Sequence, residues 1–430
     1  MDSTFYSALR ETVFHRQLAN GLNVYVDVRP DYQKQFAFFA ANYGGMNLRF
    51  QGEDGHWVNT PAGVAHFLEH KMFDTEEGNA LQLLAANGVD PNAFTSANIT
   101  GYYFDGTRAF EENLRTLLSF VSVPYFTEES VAKEQGIIAQ EIRMMDDNPD
   151  YVLYRQQLEA MYQRHPIRLG VAGTEESISR ITADTLYQCH RAFYNPANMV
   201  LCVAGNVDPE RVCAICSEVL PGEGFPAAEN DFGRDEPMQV GSQLVERRMP
   251  VAVPLFQLAF KGAPPPQGQE LRQRLVGELL CDTLFSPSAP LYSRLYEEGL
   301  INSTFDCGYE SVSGCAYLGV GGESRSPELI RERVLAEVER VRREGIDTTL
   351  WERQKKAAYG SMIRRLNSLE DTCIELAMCH FNGEDYLRFP ELYQSIEPAD
   401  GQTMLEEWFE LERSVLSVIR PLEEDEGEGE

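Results

Sequence analysis

The pattern of apolar and polar residues in the first half of the chain alternates between strands and helices. Residues 13–28 alternate on both sides of a turn at Asn20-Gly21, which predicts a hairpin of two strands. The apolar run from Phe36 to Tyr43 predicts a buried strand, and residues 92–104 predict a strand pair or one bent strand. The other elements predicted in this half are helices at about 109–121 and 128–146, a largely helical region at 150–193, a strand from Met199 to Ala204, and a helix from Pro209 to about Leu220.

The second half repeats this order of elements at low residue identity. Its predicted elements are a strand from Phe256 to Lys261, a helix from Gln269 to Leu284, a strand pair from Thr304 to Gly322, helices at about 327–344, 348–366, 370–380 and 402–411, and a strand from Val415 to Ile419. The repeat predicts two similar α/β domains of roughly 200 residues each.

The length of 430 residues exceeds one ordinary hydrophobic core, so two or more domains are expected. Residues 226–240 contain proline, glycine and several acids, which is typical of a linker. They would separate a first domain at 1–225 from a second domain at 241–421. Residues 422–430 are acidic and contain glycine, so we expect a disordered tail there.

The net charge of −30 argues against unaided binding to nucleic acid or to an anionic membrane surface. No basic segment followed by an apolar run opens the sequence, and no run of about eighteen apolar residues occurs in it, so neither a secretory signal nor a membrane-spanning helix is expected. The nine cysteines, an odd number scattered through a long chain, indicate reduced thiols. We therefore expect a cytoplasmic protein.

The segment His66-Phe67-Leu68-Glu69-His70 carries the chemistry, on a helix predicted to begin near Thr60-Pro61. Histidines four residues apart project from one face of a helix and can bind one zinc ion. Glu69 lies on the same side, where it could activate a water without binding the metal. The order His-x-x-Glu-His is the inverzincin signature. The alternative is an amphipathic helix with two ordinary histidines.

The matching helix of the second half, Leu275-Val276-Gly277-Glu278-Leu279-Leu280, has no histidine. Only the first half can therefore form the metal site.

The predicted helix at 128–146 offers a third ligand, because Glu134 and Glu141 lie on one face, two turns apart. One of the two acids would bind the metal and the other would orient an imidazole. The alternative is a solvated face that carries two unrelated acids. The apolar residues of this helix are expected to pack inward; they are Val131, Ile137, Ile138 and Ile142.

Five motifs in this order resemble the M16 (pitrilysin or insulinase-like) metallopeptidases. They are His66 to His70, Asn92 to Ser96, Lys133 to Glu141, Tyr194 to Met199, and Gly205 to Asp208. The phrase from Ala65 to Phe73 is most similar to the YmfH-type bacterial branch of the family. The weaker similarity beyond residue 240 fits the family's non-catalytic second domain.

The resemblance implies an α+β fold in which each domain is a mostly antiparallel sheet packed with helices, together forming a half-shell. It implies Zn²⁺ as cofactor, with His66, His70 and Glu141 as its ligands. Glu134 would orient a histidine, and Glu69 would be the catalytic base. Asp146 and Asp147 are the fallback for the third ligand.

The resemblance also implies that an exposed edge strand pairs with the main chain of an extended peptide. The residues concerned are Asn92, Ala93, Phe94 and Thr95. The alternative is an ordinary internal strand.

The family's second domain contributes an arginine and a tyrosine that hold the substrate. Tyr296 and Asn302 stand where these two are expected, so this chain departs from the pattern. Other residues, for example Arg294 or Tyr309, or a partner chain would have to replace them.

Two functions follow from the resemblance. The first is an active zinc peptidase acting on peptides or small unfolded proteins, paired as a homodimer or as a heterodimer with an M16 relative. The second is an interaction subunit that keeps the fold but has lost catalysis. The complete set of His66, Glu69, His70 and Glu141 favours the first, while the altered Tyr296 and Asn302 favour the second or a need for a partner.

Overall fold

The computed structural model of the chain describes residues 1–52, 55–222, 224–225, 227–233 and 235–423. The strands in these residues are β1 Asp2–Tyr6, β2 Glu11–Gln17, β3 Asn23–Val28, β4 Gln35–Ala41, β5 Arg49–Gln51, β6 Trp57–Asn59, β7 Asp74–Thr75, β8 Gly78–Asn79, β9 Val89–Thr95, β10 Thr100–Gly106, β11 Met199–Gly205, β12 Leu244–Met249, β13 Leu255–Gly262, β14 Asp306–Val312, β15 Cys315–Glu323 and β16 Ser414–Pro421.

The helices in the same residues are α1 Val64–Met72, α2 Ala80–Ala86, α3 Phe110–Ser122, α4 Glu128–Asp146, α5 Pro149–Met161, α6 Glu175–Ile178, α7 Ala183–Phe193, α8 Pro209–Val219, α9 Glu270–Phe285, α10 Pro290–Glu297, α11 Pro327–Glu344, α12 Thr348–Arg365, α13 Leu369–Phe381, α14 Phe389–Ser395 and α15 Pro398–Trp408. No helix in the described part of the chain is both long enough and apolar enough to cross a bilayer.

The chain divides into two compact units. Unit 1 comprises Met1–Ile142, Leu169–Phe232 and Tyr359–Leu392, and unit 2 comprises Arg143–Arg168, Gly233–Ala358 and Tyr393–Glu430. One boundary between them, Phe232–Gly233, falls within the predicted linker at 226–240. The units nevertheless differ from the contiguous domains expected from the sequence. Of the predicted tail at 422–430, residues 424–430 lie outside the described residues.

Unit 1 is built on a seven-stranded sheet in the order β1-β2-β3-β11-β4-β10-β9, in which only β3 and β11 are parallel neighbours. The central strands β4 and β11 are buried along almost their whole length, as their apolar runs predict. Helices α1 and α3 pack against β10, and α13, from late in the chain, packs against β11 and β4.

Unit 2 is built on a five-stranded sheet in the order β12-β16-β13-β15-β14, with β12 and β16 as its parallel neighbours. Helix α9 packs against β14 and β15, and α5, from the first half of the chain, packs against β16 and β13. The strand order therefore repeats that of β3 to β9 in unit 1. The predicted α+β class, with two similar and mostly antiparallel sheets packed with helices, is confirmed.

The structure differs from the sequence prediction at Ile137 and at residues 46–62. Ile137 does not pack inward, because its side chain is 45% exposed. The buried stripe of α4 consists of Val131, Ile138 and Ile142, which are spaced at seven and four residues and share one face. The region 46–62 contains the short strands β5 and β6, for which no strand was predicted.

Candidate metal centre

Helix α1 carries His66, Glu69 and His70, and a glycine determines where it begins. Gly63 precedes the helix with a φ of 94°, a conformation that favours glycine. A Cβ atom at this position would also come within 2.5 Å of the Ala172 carbonyl oxygen. The predicted start near Thr60-Pro61 was therefore three residues early, and the Thr60 hydroxyl donates to the Leu48 carbonyl instead of capping the helix.

Helix α1 is buried on nearly every side. Phe67 and Leu68 are fully buried, and the helix packs against β9 and β10. His66 and Glu69 are also buried, with exposures of 9% and 8%. Burying polar side chains is costly unless they find partners, so His66 and Glu69 need polar contacts inside the protein.

Three side chains converge on one point. Nε2 of His66 lies 3.7 Å from Oε1 of Glu141, and Nε2 of His70 lies 3.6 Å from Oε2 of the same carboxylate. One ligand atom from each residue lies within 4.8 Å of the others. Within the described residues, this is the one group of three or more histidine, cysteine or acidic side chains that could hold a metal ion.

The donor set suits a tetrahedral metal ion. Ligand atoms at zinc bond lengths of 2.0–2.2 Å on a tetrahedron are about 3.4 Å apart, close to the separations between Glu141 and the two imidazoles. Two imidazole nitrogens and one carboxylate oxygen are the ligands of a hydrolytic zinc site that keeps one position open. The fallback ligands Asp146 and Asp147 do not belong to this group.

Glu134 holds one of the two imidazoles in place. Its Oε1 lies 3.0 Å from Nδ1 of His70, on the ring atom opposite the one that faces Glu141. A proton on Nδ1 would therefore leave the Nε2 lone pair free for a metal. His66 differs, because its Nδ1 is buried with no hydrogen-bond partner among the described residues.

The two histidines have opposite pKa shifts. Burial, together with the nearby charge of His70, lowers the pKa of His66 to about 4, so this imidazole stays neutral near pH 7. Burial also disfavours the charged form of His70. The hydrogen bond to Glu134 and the charges of Glu69, Glu134 and Glu141 outweigh burial and raise the pKa of His70.

Glu69 is adjacent to the donor group without belonging to it. Its Oε2 accepts a 2.6 Å hydrogen bond from the Thr95 hydroxyl. Burial raises the pKa of Glu69, and the charge of Glu141 adds to this effect, while the Thr95 hydrogen bond and His70 oppose it. A carboxylate with a raised pKa is the stronger proton acceptor.

The predicted substrate strand corresponds to β9, the last strand in the sheet of unit 1. No other strand among the described residues pairs with its outer side. The Thr95 side chain points to α1, whereas Phe94 stacks on Phe38 with their ring centroids 5.7 Å apart. The Asn92 side-chain oxygen accepts a hydrogen bond from the backbone N–H of Ala93, at 2.9 Å. Substrate binding by these four residues stays a prediction.

Tyr296 and Asn302, which stand where the family has an arginine and a tyrosine, both contact neighbouring residues of unit 2. Tyr296 is 55% exposed and stacks on Tyr292. Asn302 donates to Glu323 at 2.7 Å and accepts a hydrogen bond from the backbone N–H of Thr304, as in a capped turn.

The two proposed substitutes for the family's arginine and tyrosine also have partners within unit 2. Arg294 donates to the buried carboxylate of Glu337 at 2.6 Å. Tyr309 is 6% exposed, and its hydroxyl accepts a hydrogen bond from Gln273 at 3.1 Å.

The sequence prediction did not identify the contact between the Thr95 side chain and Glu69. Strand alternation could have revealed part of it, because residues 93 and 95 must face the side of the sheet opposite to Phe94. The position of α1 over that face is a tertiary feature that no local pattern encodes.

Comparisons with known proteins point to one peptidase family over most of the chain. A family model described as Insulinase (Peptidase family M16) matches residues 54–175, and one described as Peptidase M16 inactive domain matches residues 180–358. A Bacillus subtilis strain 168 protein with the name uncharacterized zinc protease YmfH is 36% identical over 97% of this chain and 98% of its own length.

Solved structures give the same result. The crystal structure of an M16-like peptidase from Alicyclobacillus acidocaldarius matches with a TM-score of 0.91 and 31% identity, covering 96% of this chain and 99% of that chain. A protease from Helicobacter pylori matches with a TM-score of 0.82 over 95% of this chain and 99% of its own. Its identity of 19% shows a shared fold alone.

Proposed function

The chain belongs to the M16 peptidase family, in the branch of Bacillus subtilis YmfH, and from this premise we propose that it is a zinc-dependent peptidase. It would hydrolyse peptide bonds of peptides or small unfolded proteins in the cytoplasm. The observation that carries the proposal is the convergence of His66, His70 and Glu141 beside a buried carboxylate, Glu69, that is not one of the three donors.

Each residue of the centre has a proposed role. His66, His70 and Glu141 would hold Zn²⁺, and Glu134 would keep the His70 ring oriented. When bound, Zn²⁺ supplies Lewis-acid polarisation of the scissile carbonyl and lowers the pKa of water. The low pKa of His66 suits this role, because only the neutral imidazole has a free lone pair.

Glu69 would be the general base and then the general acid. Thr95 donates to Oε2, so we assign the transferred proton to Oε1. The carboxylate accepts this proton as the water oxygen bonds to the carbonyl carbon. It then delivers the proton to the amine nitrogen as the C–N bond breaks, which returns Glu69 to its ionised form.

The free edge of β9 would hold the substrate by main-chain pairing. Asn92, Ala93, Phe94 and Thr95 would supply the backbone groups. Because main-chain pairing does not depend on side chains, we expect selection for extended, unfolded peptides over a particular sequence.

A second candidate function is an interaction subunit without catalysis, which would act with a partner chain. Asn302, Arg294 and Tyr309 favour it, because each side chain already makes a hydrogen bond within unit 2 instead of holding a substrate. A homodimer or a heterodimer with an M16 relative could supply the missing groups, and the active function would then require that partner.

Metal analysis and peptide cleavage test the proposal together. We expect purified protein to contain one zinc per chain and to cleave an unstructured peptide, with activity lost to a chelator and restored by Zn²⁺. Zinc content without cleavage, and cleavage that appears only with a relative added, would favour the partner-dependent form. Protein without zinc and without activity would contradict the peptidase proposal.

A further inference from the structure

We propose that the side chain of Thr95 is a positioning residue that fixes the carboxylate of Glu69. This role is separate from the predicted contribution of the Thr95 backbone to substrate binding. The inference rests on the proposed function, because it assigns Thr95 to the base of that reaction. Thr95 would then have two roles: its side chain would affect kcat, and its backbone contact with substrate would affect KM.

The contact between the two residues is short and shielded from solvent. The Thr95 hydroxyl oxygen lies 2.6 Å from Oε2 of Glu69, within the range for a charge-assisted O–H···O bond. Glu69 is 8% exposed, so water competes little for this oxygen. Threonine is also branched at Cβ, which restricts its χ1 and limits where the hydroxyl can point.

Neighbouring groups leave Glu69 as the acceptor for the Thr95 hydroxyl. Thr100 lies directly opposite Thr95 in the β9–β10 ladder. Its hydroxyl donates to the Tyr43 carbonyl at 2.8 Å, and the Thr95 and Thr100 hydroxyl oxygens are 3.5 Å apart. A hydroxyl has a single proton to donate, and the proton of Thr100 is committed to Tyr43. The single proton of Thr95 goes to Glu69, whose Oε2 at 2.6 Å is much nearer than the Thr100 oxygen at 3.5 Å.

The arrangement makes the two oxygens of Glu69 unequal. Thr95 holds Oε2, and the rotation of the carboxylate is thereby fixed, which directs Oε1 to one side. Without the hydroxyl the carboxylate could rotate about its last torsion, which is broad and roughly two-fold. A small misplacement of a catalytic group is enough to reduce the rate of the chemical step strongly.

Two substitutions at position 95 separate positioning from substrate binding. Thr95→Val keeps the shape and the backbone but removes the hydroxyl, and Thr95→Ser keeps the hydroxyl. We expect Thr95→Val to lower kcat by about 10- to 100-fold, the size typical for lost supporting hydrogen bonds in metal sites, with KM and zinc content unchanged. Thr95→Ser should retain most of kcat.

The matched control is Thr116→Val in α3, whose hydroxyl donates to the backbone carbonyl of Glu112 in its own helix, at 3.1 Å. It should leave both constants unchanged. Wild-type kcat in Thr95→Val would overturn the proposal. A raised KM at constant kcat would show a substrate contact instead, and an equal loss in Thr95→Ser would show a packing effect.

A crystal structure of Thr95→Val gives a readout that does not depend on activity. We expect the Glu69 carboxylate to occupy more than one orientation there and a single orientation in the wild type. If wild-type protein cleaves no peptide, either alone or with a relative added, the proposed function fails, but this comparison still decides the inference. One unchanged orientation in both structures would refute it.

Discussion

Helices α1 and α9 occupy the same place in the two repeats, but they make different contacts with their sheets. Of the two, only α1 carries residues of the candidate site. Each packs against the edge strand of its sheet, α1 on β9 and α9 on β14. On α1 the contact is polar, from Thr95 to Glu69. On α9 the Tyr309 ring covers Gly277, where a Cβ atom would come within 2.3 Å of it.

The difference shows that two helices in equivalent positions of the fold can carry different kinds of side chain, and only those of α1 could bind a metal. The buried residues of α9 include Leu275, Leu279 and Leu280, each 0% exposed. Helix α9 therefore contributes to the core of unit 2, whereas α1 also contributes three polar side chains to a partly buried cluster. Maintaining that cluster requires the paired contacts of Glu134, Glu141 and Thr95.

The largest effect is expected when a glutamate is replaced by glutamine on α1, and the same replacement on α9 serves as the comparison. Glu69→Gln should lower kcat by about 10²- to 10⁴-fold, the usual contribution of a general base, while zinc content stays the same. Glu278→Gln on α9 is the matched control and should leave kcat unchanged. Steady-state kinetics with metal analysis measure both. Full activity in Glu69→Gln would remove the proposed base.

Acid should destabilise both units, and unit 1 more than unit 2, because unit 1 holds more histidines whose pKa is lowered by burial. Burial lowers the pKa of His66, His190 and His380 in unit 1 and of His165 in unit 2 to about 4. As the pH falls, the unfolded chain binds these protons at about pH 6.5 and the folded chain only at about pH 4. The free energy of unfolding is therefore unaffected by these histidines above about pH 6.5 and decreases as the pH falls to about 4. The loss is roughly 3 kcal/mol for each histidine.

Urea unfolding of zinc-free protein at pH 7 and at pH 4.5 measures this effect, and hydrogen exchange assigns it to each unit. His190→Gln should reduce the pH dependence of unit 1 by the share of one histidine and leave that of unit 2 unchanged. A free energy of unfolding that does not change between the two pH values would contradict the prediction.

Glu134→Gln tests whether the contact that orients His70 supports metal binding. Loss of the carboxylate should weaken zinc affinity by about 10- to 100-fold, because the ring loses its charged partner. Competition with a chromogenic chelator measures the affinity. Glu337→Gln in unit 2 changes a carboxylate that is paired with Arg294 and Arg340 and does not belong to the centre, so it should leave zinc affinity at the wild-type value.

The smallest effect is expected at the corresponding position of unit 2. Gly277→Ala would force a methyl group against the Tyr309 ring, at a cost of about 1–3 kcal/mol, partly offset by about 1 kcal/mol of better helix propensity. Thermal unfolding should show a slight loss of stability with zinc content unchanged. A loss of zinc would indicate that the two helices are coupled.

The elements of the fold were predictable where periodicity is strong. The buried runs of β4 and β11 and the pattern of α4 led to the correct secondary structure. Ile137 was misplaced because it lies next to the true stripe, and sequence alone does not resolve a shift of one residue around a helix. Helices α10 and α14 were missed because short helices give little periodic signal.

The candidate site was predictable in part. Spacing placed His66, Glu69 and His70 on one helix, and the structure brings Glu141 to them, although their roles stay predictions. The destination of the Thr95 side chain could not be read from the sequence, because it depends on how α1 packs across β9. The exchange of segments between the units was also unpredictable, since a pattern shows which face is apolar but not which sheet covers it.

This exchange has a consequence for biosynthesis. Helix α13, which covers the central strands of unit 1, lies about 300 residues after the metal helix α1 in the chain. A nascent chain emerging from the ribosome therefore presents the sheet that supports the metal centre long before its cover is made. A truncated first half would leave that apolar face bare, so we expect such a fragment to aggregate or to need chaperones.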